Sequence, residues 1–412
     1  MTVTIPDATA LDAADALAPM RDRFVAAEDE GIVYLDGNSL GRPPRAVADR
    51  LAQFVSEDWG TRLIRGWDEG WFASPLAVGD RIADAVLGAA PGQTIVADST
   101  TVSLYKLIRA ALAARPDRSR IVIDRANFPT DRYVVQGIAA ETGAQIDWID
   151  PDPATGVSVD DVHAVLGPDT AVVVLSHIAY RSGYIADIPR ITAAAHAAGA
   201  LVVWDLCHSV GAVPLELDAW GVDYATGCTY KYLNGGPGSP AFLYVRAEHI
   251  GSAVQPIQGW MGVRDSFLMG PDYEPAAGIR RFVSGTPPVL AMVPLTVSLE
   301  LIGEVGIQAI REKSVALTEY AIALFDEILA PLGVTLSSPR DPAVRGGHIT
   351  IDHPAFPALI APLWERGVIP DFRPPTGIRL GMSPLSTSFA EVRRAIVAIA
   401  EELTAATSRS DR

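Results

Sequence analysis

Residues 171–206 read AVVVLSHIAYRSGYIADIPRITAAAHAAGALVVWDL, with one short apolar run at each end. The nearly continuous apolar character of both runs is what strands covered on both faces require. The segment between them predicts a helix, with Asp187 as its N-cap, Pro189 in its first turn and Gly199 after its end. A strand, a helix and a second strand of these lengths predict a parallel sheet with right-handed crossovers.

The same pattern continues on both sides of this segment, whereas the two chain ends differ from it. Apolar runs at 121–124 and 241–245 predict further strands of the sheet. Helical spacing follows Pro43, and a long helical region after Pro288, with a break near Pro331, leads to short strands and a last helix. We therefore expect an α/β fold. Its large domain has a mostly parallel central sheet flanked by helices, and a smaller α+β domain is formed by both chain ends.

The chain length supports this division into domains. A chain of 412 residues with 49% apolar content is too long for one hydrophobic core. We expect an N-terminal arm and part of the small domain at residues 1–70, the large domain at 71–285, and the C-terminal part of the small domain at 286–412.

Charge and cysteine usage exclude several classes of protein. The net charge is -16 and the isoelectric point is near 4.8, so we expect no nucleic-acid partner. Cys207 and Cys228 make no disulfide framework, and neither they nor the seven histidines have the spacing of a metal site, so no metal is predicted. The sequence shows no secretory signal and no apolar stretch of roughly 20 residues, so we expect a cytoplasmic protein without a membrane partner.

Two polar side chains follow predicted strands in the middle of the chain. Asp205 lies at the carboxyl edge of the predicted sheet, where ligands bind in open α/β folds. Lys231 lies in the stretch CTYKYLNGGPG, residues 228–238, before glycines that let the backbone approach a ligand closely. Partial burial between its aromatic neighbours would make the lysine amine a better nucleophile toward an aldehyde.

Two further loops complete a chemical pattern. The sequence DSTT at 98–101 precedes a predicted helix, and hydroxyls and free amides at a helix start form an anion site. The sequence NFPTD at 127–131 follows a predicted strand and offers an aromatic ring for stacking. A pyridine cofactor needs a phosphate cradle, a stacking ring, a carboxylate for its nitrogen and an amine for its aldehyde. The four loops together therefore predict pyridoxal 5′-phosphate as the cofactor of a fold-type I enzyme.

Over nearly its whole length, the chain resembles the kynureninase family of the aminotransferase class V group. The resemblance runs from YLDGNSLG at 34–41 to GIRL at 377–380. Its most specific stretches are FPTD at 128–131, DLCH at 205–208, WGVD at 220–223, YKYLN at 230–234 and GWMG at 259–262.

The resemblance implies a hydrolase that cleaves the Cβ–Cγ bond of the small molecule kynurenine, giving anthranilate and alanine in tryptophan catabolism. The implied catalytic residues are Lys231, which bonds to the cofactor and shuttles protons, Tyr230, and Asp205, which pairs with the ring nitrogen. The implied cofactor-binding residues are Thr100, Thr101, Phe128, Asp131, Asp205, His208, Tyr230, Lys231, Trp260 and Thr286.

The resemblance also implies a homodimer with shared active sites. Trp260 and Thr286 are expected to reach the phosphate from the partner subunit, and Arg379 is expected to clamp the substrate carboxylate. Thr286 and Trp67 replace an asparagine and a histidine of the animal members, as in bacterial members. Trp67 and Ser39 would line the pocket for the substrate aryl group, although Trp67 could equally be a packing residue. The preference between kynurenine and 3-hydroxykynurenine leans to kynurenine.

Four alternatives remain open from the sequence. A cysteine desulfurase shares the fold type but needs a cysteine on a mobile loop, whereas Cys207 and Cys228 lie at predicted strand ends. An aminotransferase would need a keto-acid acceptor. A non-enzymatic cofactor-binding protein would normally carry an added DNA-binding module. A paralogue of secondary metabolism would act on a substituted kynurenine, because few side chains read the substituents of the ring.

Overall fold

The computed structural model describes residues 5–27, 29 and 31–410. The α-helices, numbered along the chain, are α1 (Ala8–Ala14), α2 (Ala46–Gln53), α3 (Ser74–Ile82), α4 (Thr100–Ala113), α5 (Pro129–Thr142), α6 (Val159–Val165), α7 (Ile188–Ala197), α8 (Ala247–Ile250), α9 (Val289–Val305), α10 (Ile307–Leu324), α11 (Ile360–Glu365) and α12 (Phe389–Ser410). Turns of π-helix extend α2, α3 and α10 over Phe54–Trp59, Ala83–Leu87 and Phe325–Leu329.

The strands form two sheets. They are β1 (Val33–Leu35), β2 (Thr94–Val96), β3 (Arg120–Asp124), β4 (Gln145–Ile149), β5 (Thr170–Ser176), β6 (Leu201–Asp205), β7 (Tyr224–Gly227), β8 (Phe242–Val245), β9 (Thr335–Leu336), β10 (His348–Asp352), β11 (Val368–Arg373) and β12 (Gly377–Gly381). The larger sheet has the order β2-β8-β7-β6-β5-β3-β4, and the smaller has the order β1-β11-β12-β10-β9.

The larger sheet is parallel except at one strand. β8 runs antiparallel to both of its neighbours, β2 and β7, and the other neighbouring strands are parallel. The central strands β5 and β6 are apolar along nearly their whole length because helices cover both faces of the sheet. The predicted mostly parallel sheet is therefore confirmed.

Helix α7 connects β5 to β6 and shows why the sequence between them folds locally as predicted. The Asp187 carboxylate accepts a hydrogen bond from the amide of Arg190 at 3.0 Å, which caps the first turn. Gly199 follows the helix with φ of +79°, a left-handed conformation that favours glycine. The crossover brings Ser176 and Asp205 into register at the carboxyl ends of β5 and β6.

The smaller sheet joins the two ends of the chain. Its strand β1 comes from the N-terminal part and pairs in parallel with β11, whereas the remaining pairs are antiparallel. Val33 and Leu35 pack in one core with Ile349, Leu380 and Ile396. This arrangement confirms the predicted smaller α+β domain built from both chain ends.

The helical region after Pro288 contains a break that the sequence reasoning missed. The break near Pro331 is present as a 3₁₀ turn over Ala330–Leu332, but α9 also ends at Gly306, where φ is +81° and the chain bends by 85°. A glycine after an apolar run is a signal for a helix end. α9 packs on the core of the larger sheet through Leu295, and α10 reaches the other core through Leu317. The division into residues 1–70, 71–285 and 286–412 stays a prediction.

Within residues 5–27, 29 and 31–410, no single helix is long and apolar enough to cross a bilayer. One pair of helices, Val289–Val305 with Ile307–Leu332, has the length and apolar composition of a membrane span when the two are taken together, but the chain bends by 85° between them.

Candidate active site

A cavity of about 640 Å³ lies at the carboxyl edge of the larger sheet, between the two sheets. It is the edge at which open α/β folds bind their ligands. Ten residues predicted for the site line this cavity: Ser39, Thr100, Thr101, Phe128, Asp131, Asp205, His208, Tyr230, Lys231 and Thr286. Three others, Trp67, Trp260 and Arg379, do not line it.

Asp205 is fixed at the base of the cavity by hydrogen bonds to its carboxylate. One oxygen accepts from the amide of Cys207 at 2.8 Å, and the other accepts from the hydroxyl of Ser176 at 3.1 Å. The side chain is 5% exposed, so its charge needs a partner. Ser176 was missed by the sequence reasoning, although its place at the end of the neighbouring strand could have indicated it.

Asp131 is a second buried carboxyl group beside Asp205. Burial raises the pKa of Asp131 well above its usual value, and the charges of Asp205 and Asp124 add to this effect. The hydroxyl of Ser176 lies 3.5 Å from one Asp131 oxygen and so contacts both carboxyl groups. Two acidic groups in one buried place favour a cation between them, as a protonated pyridine nitrogen would be.

Lys231 points its amine into the cavity. Its Nζ donates a hydrogen bond to Nε2 of His208 at 3.0 Å and lies 5.9 Å from the ring centroid of Phe128. Burial lowers the pKa of His208 well below its usual value, and the charges of Lys231 and Arg379 act in the same direction. His208 is therefore neutral and accepts from the amine, which it holds near the aromatic ring.

The amino end of α4 supplies the anion site that the sequence predicts. The Ser99 hydroxyl caps the helix by accepting from the amide of Val102 at 3.5 Å, and the 14-residue helix begins at Thr100. Amides of a first helical turn have no partner within the helix, and the helix dipole favours negative charge there. Thr100 and Thr101 line the cavity at this point, and Thr286 of the same chain lines it as well, whereas the resemblance implied that Thr286 reaches the phosphate from the partner subunit.

The other end of the cavity is cationic. Arg379 is 1% exposed, and its guanidinium contacts the Asp371 carboxylate at 2.5 Å and donates to the Ser39 hydroxyl at 3.0 Å and the Tyr180 carbonyl at 2.6 Å. Arg373 donates to the same Asp371 oxygen at 2.7 Å and itself lines the cavity. Asp371 and Arg373 were not predicted from the sequence. They lie two positions apart on β11, and so on the same face of the strand.

Trp67 and Trp260 lie on a different surface of the subunit. Trp67 lines a separate surface cavity with Phe267 and Phe72, and the Trp260 ring lies 6.2 Å from the Phe267 ring. Trp260 is 41% exposed. Within one subunit the structure therefore does not bring these two tryptophans to the main cavity.

Cys207 and Cys228 are both buried, and both line the wall of the cavity. The amide of Cys228 donates to the Cys207 sulfur at 3.2 Å. Neither thiol is on an exposed loop, as the sulfur-transfer chemistry of a desulfurase would need.

A cluster of possible metal ligands lies at the amino edge of the sheet. Ligand atoms of Asp223, Glu248 and His249 lie within 4.8 Å of one another, although the sequence predicted no metal. The Asp223 carboxylate accepts hydrogen bonds from His196 and His249, each at 2.8 Å, and from the amide of Val202 at 2.9 Å. These bonds satisfy the buried carboxylate without an ion.

The fold and the main cavity together define a pyridoxal-phosphate enzyme of the aminotransferase class V group. An amine, a buried carboxylate, an aromatic ring and an anion site are the donor set that this cofactor needs, and they surround one cavity. The aminotransferase class-V family matches residues 33–353, and the kynureninase C-terminal domain matches residues 310–399. The chain belongs to the kynureninase family.

Relatives support this assignment over nearly the whole length of the chain. A kynureninase from Pseudomonas fluorescens is 42% identical over 404 residues, which cover 96% of this chain and 95% of the relative. A kynureninase from Burkholderia pseudomallei (strain 1106a) is 43% identical over 400 residues, covering 95% and 94%.

Solved structures support the fold alone. The cysteine desulfurase from Thermococcus onnurineus NA1 superposes with a TM-score of 0.81 at 18% identity and covers 94% of this chain and 98% of its own. The cysteine desulfurase CsdA from Escherichia coli gives 0.80 at 20% identity, with coverage of 94% and 98%.

Proposed function

We propose that this chain hydrolyses the Cβ–Cγ bond of L-kynurenine to give anthranilate and L-alanine. The observation that carries the proposal is the 42% identity to a kynureninase over 96% of the chain. The arrangement of the cavity is consistent with this chemistry, because an amine, a buried carboxylate and a cationic end face one space of about 640 Å³.

Bound pyridoxal phosphate supplies an electron sink for negative charge that develops on the amino-acid substrate. We propose that Lys231 carries the proton that is moved in these steps, because it is the one lysine of the described residues that lines the cavity. His208 orients that amine through its 3.0 Å hydrogen bond. Asp205, held by Ser176 and Cys207, keeps the pyridine nitrogen protonated.

Tyr230 is proposed as a proton donor. Burial raises the pKa of the Tyr230 hydroxyl, and the neighbouring Cys228 and Cys207 thiols act in the same direction. The phenol is therefore protonated at neutral pH and enters the reaction as an acid. A positioned acid of this kind contributes on the order of 10²–10⁴-fold to a rate.

Arg379 is proposed as the group that binds the substrate carboxylate. Its guanidinium is held by Ser39 and Tyr180, which fix its plane, and its contact with Asp371 occupies part of its donor set. An arriving carboxylate would compete with Asp371 for those donors. Arg373 keeps Asp371 paired when this happens, because it donates to the same oxygen.

A homodimer is proposed to complete the site. Trp260, Phe267, Leu268 and Met269 are 41%, 59%, 73% and 71% exposed, an apolar surface that a second copy would cover. Mixing two inactive variants tests the shared site. If Trp260 acts across the dimer, mixed dimers of Lys231→Ala and Trp260→Ala have one intact site, and equal mixing restores about a quarter of the wild-type activity. No recovery would place Trp260 in the site of its own subunit, and a Trp260→Ala variant that is active by itself would place Trp260 outside any site.

The cytoplasm is the proposed location, and kynurenine rather than 3-hydroxykynurenine is the proposed substrate. The support for the substrate preference is Trp67, which has no acidic or basic group to bind a ring hydroxyl, if the partner subunit brings it to the aryl group. Turnover of the two compounds by the purified full chain decides this preference, and faster turnover of the hydroxylated compound contradicts it.

The proposed reaction has a direct assay. The purified full chain with pyridoxal phosphate and L-kynurenine should release fluorescent anthranilate and alanine in equal amounts, without any keto acid. Product formation that depends on an added keto acid would make the chain an aminotransferase. Release of sulfur from cysteine in place of anthranilate from kynurenine would make it a desulfurase.

A further inference from the structure

Lys106 is a buried charged residue that the proposed chemistry does not use. It lies in α4, its side chain is 0% exposed, and its ammonium contacts the Asp98 carboxylate at 2.5 Å and the Phe282 carbonyl at 2.6 Å. An ammonium is costly to bury unless it is paired and hydrogen-bonded. These two contacts therefore restrict the positions of the loops that carry Asp98 and Phe282.

The first contact holds a strained residue at the anion site. Asp98 has φ of +54°, in the left-handed region that L-residues other than glycine seldom adopt. Its carbonyl is also tied to the chain, because it accepts from the amide of Ala241 at 3.0 Å. Such a conformation is strained and persists only where the surroundings hold it.

The charge of Asp98 is also in an unfavourable place for an anion. Its carboxylate is 25% exposed and, with Ser99, Thr100 and Thr101, lines the wall at the start of α4. A carboxylate beside a phosphate would repel it. The Lys106 ammonium offsets that charge from behind the wall, where it cannot itself contact the ligand.

The second contact reaches another segment that lines the cavity. Phe282 is completely buried and directly precedes the segment 283–288, in which Val283, Gly285, Thr286, Pro287 and Pro288 line the cavity. Lys106 therefore joins the loop at 98–101 to the segment that carries Thr286.

We propose that Lys106 is a positioning residue for the phosphate of the cofactor. It sets the separation of the walls at 98–101 and 282–288, and it offsets the charge of Asp98. The inference rests on the proposed use of the amino end of α4 as the phosphate site and not on which amino acid the enzyme cleaves.

The test compares two ligands that differ only in the phosphate. Apoenzyme of the full chain is titrated with pyridoxal phosphate and with pyridoxal, and binding is followed by absorbance and tryptophan fluorescence. Lys106→Met keeps the length of the side chain and removes its charge. We expect it to raise the dissociation constant of pyridoxal phosphate at least about 10-fold, since a charge-assisted contact is lost. The dissociation constant of pyridoxal should change less than about 2-fold, because nothing that touches the ring has moved.

A matched control separates this effect from loss of stability. Lys313 is also a buried lysine, 4% exposed and paired with Asp15, but it lies in α10 away from the cavity. Lys313→Met should lower the thermal stability comparably and leave the ratio of the two dissociation constants unchanged.

A second variant tests whether Lys106 acts by offsetting the charge of Asp98. Asp98→Asn in the Lys106→Met background removes the carboxylate that is left without its partner, and asparagine tolerates the left-handed conformation. The double variant should recover part of the lost affinity for pyridoxal phosphate, and it also serves if the single variant does not fold.

An unchanged affinity of Lys106→Met for pyridoxal phosphate, or equal losses of affinity for both ligands, would overturn the role of Lys106. If only the double variant folds, a wild-type affinity for pyridoxal phosphate supports the proposal that Lys106 offsets the charge of Asp98. Equal losses of affinity for pyridoxal phosphate and for pyridoxal overturn it. Wild-type apoenzyme that does not prefer pyridoxal phosphate over pyridoxal would instead overturn the phosphate site itself.

Discussion

The two ends of the cavity are held together in different ways. At the phosphate end, the start of α4 presents hydroxyls and the amides of its first turn, and its supporting contacts stay within the larger sheet and its loops. At the carboxylate end, Ser39 and Arg379 are 340 positions apart in the chain and meet only because β1 joins the smaller sheet. The phosphate end therefore forms with the large domain, whereas the carboxylate end depends on packing between the chain ends.

The charges at the two ends also differ. Asp131 and Asp205 are acidic groups buried beside each other at the cofactor end, and the repulsion between them favours a bound cation. The basic groups at the other end, Arg373 and Arg379, already share the Asp371 carboxylate. If these groups bind substrate and cofactor as proposed, the substrate has to compete with Asp371 at one end, whereas the cofactor relieves an unfavourable arrangement at the other. Substitutions at the two ends should affect different constants.

The largest effect is expected from Lys231→Ala, which removes the amine between the two ends. Turnover of kynurenine should fall at least about 10³-fold, because Lys231 is the residue proposed to hold the cofactor and to move a proton. The measurement is the steady-state rate with saturating cofactor, together with the visible absorbance of the bound cofactor. An added small amine should restore a fraction of the rate by replacing the missing group. Near-normal turnover in this variant would remove Lys231 from the centre of the site.

The next effect separates substrate binding from cofactor binding. Arg379→Ala should raise KM for kynurenine on the order of 10²-fold, since a charge-assisted carboxylate contact is worth about 1.5–3 kcal/mol. The dissociation constant of pyridoxal phosphate should not change, in contrast to Lys106→Met. Both constants are measured on the same preparations.

The control for Arg379 is an arginine of the smaller domain that lies on the surface. Arg366 is 38% exposed and pairs with Glu401 and Glu402 near the end of α12. Arg366→Ala should leave KM unchanged, because exposed ion pairs contribute little. An unchanged KM in Arg379→Ala would place the substrate carboxylate elsewhere, with Arg373 as the next group to substitute.

Much of the cofactor end could be predicted from sequence because each of its groups follows a recognisable local element. Asp205 ends an apolar strand, Thr100 begins a capped helix and Lys231 precedes glycines. Ser176 and Lys106 were missed, because their roles depend on which strands and loops become neighbours. Neither residue has a local pattern that distinguishes it from an ordinary strand-end serine or helical lysine.

The carboxylate end was harder to predict for the same reason. Arg379 was identified through a family resemblance and not through spacing, and its partner Asp371 comes from a neighbouring antiparallel strand. The pairing of β11 with β12 places these two side chains opposite each other, and no periodicity along one strand contains that information. The reversed direction of β8 within the larger sheet was likewise outside what an apolar run indicates.

The smallest effect on activity is expected at Asp223, at the amino edge of the same sheet. Burial opposes ionisation of this carboxyl group, but hydrogen bonds from His196 and His249 outweigh it and lower the pKa from 3.8 to about 2. A group whose pKa is lowered on folding stabilises the protein above its unfolded pKa, and this contribution is lost as pH falls from about 4 toward 2. Asp223→Asn should lower the free energy of unfolding at pH 7 by about 2 kcal/mol.

Urea unfolding at a series of pH values measures this contribution. The difference between wild type and Asp223→Asn should be full at pH 7 and should shrink below about pH 4, where the wild-type carboxyl group takes up a proton. KM, kcat and the affinity for pyridoxal phosphate should stay at wild-type values, because none of the contacts of Asp223 reaches the cavity. If Asp223→Asn is destabilised as much as the Lys106 and Arg379 variants but keeps its activity, the changes in those two variants report on the two ends of the cavity and not on stability. Loss of activity in Asp223→Asn would mean that the carboxyl edge responds to any weakening of the sheet, and the contrast between the two ends would then have to be measured at matched stability.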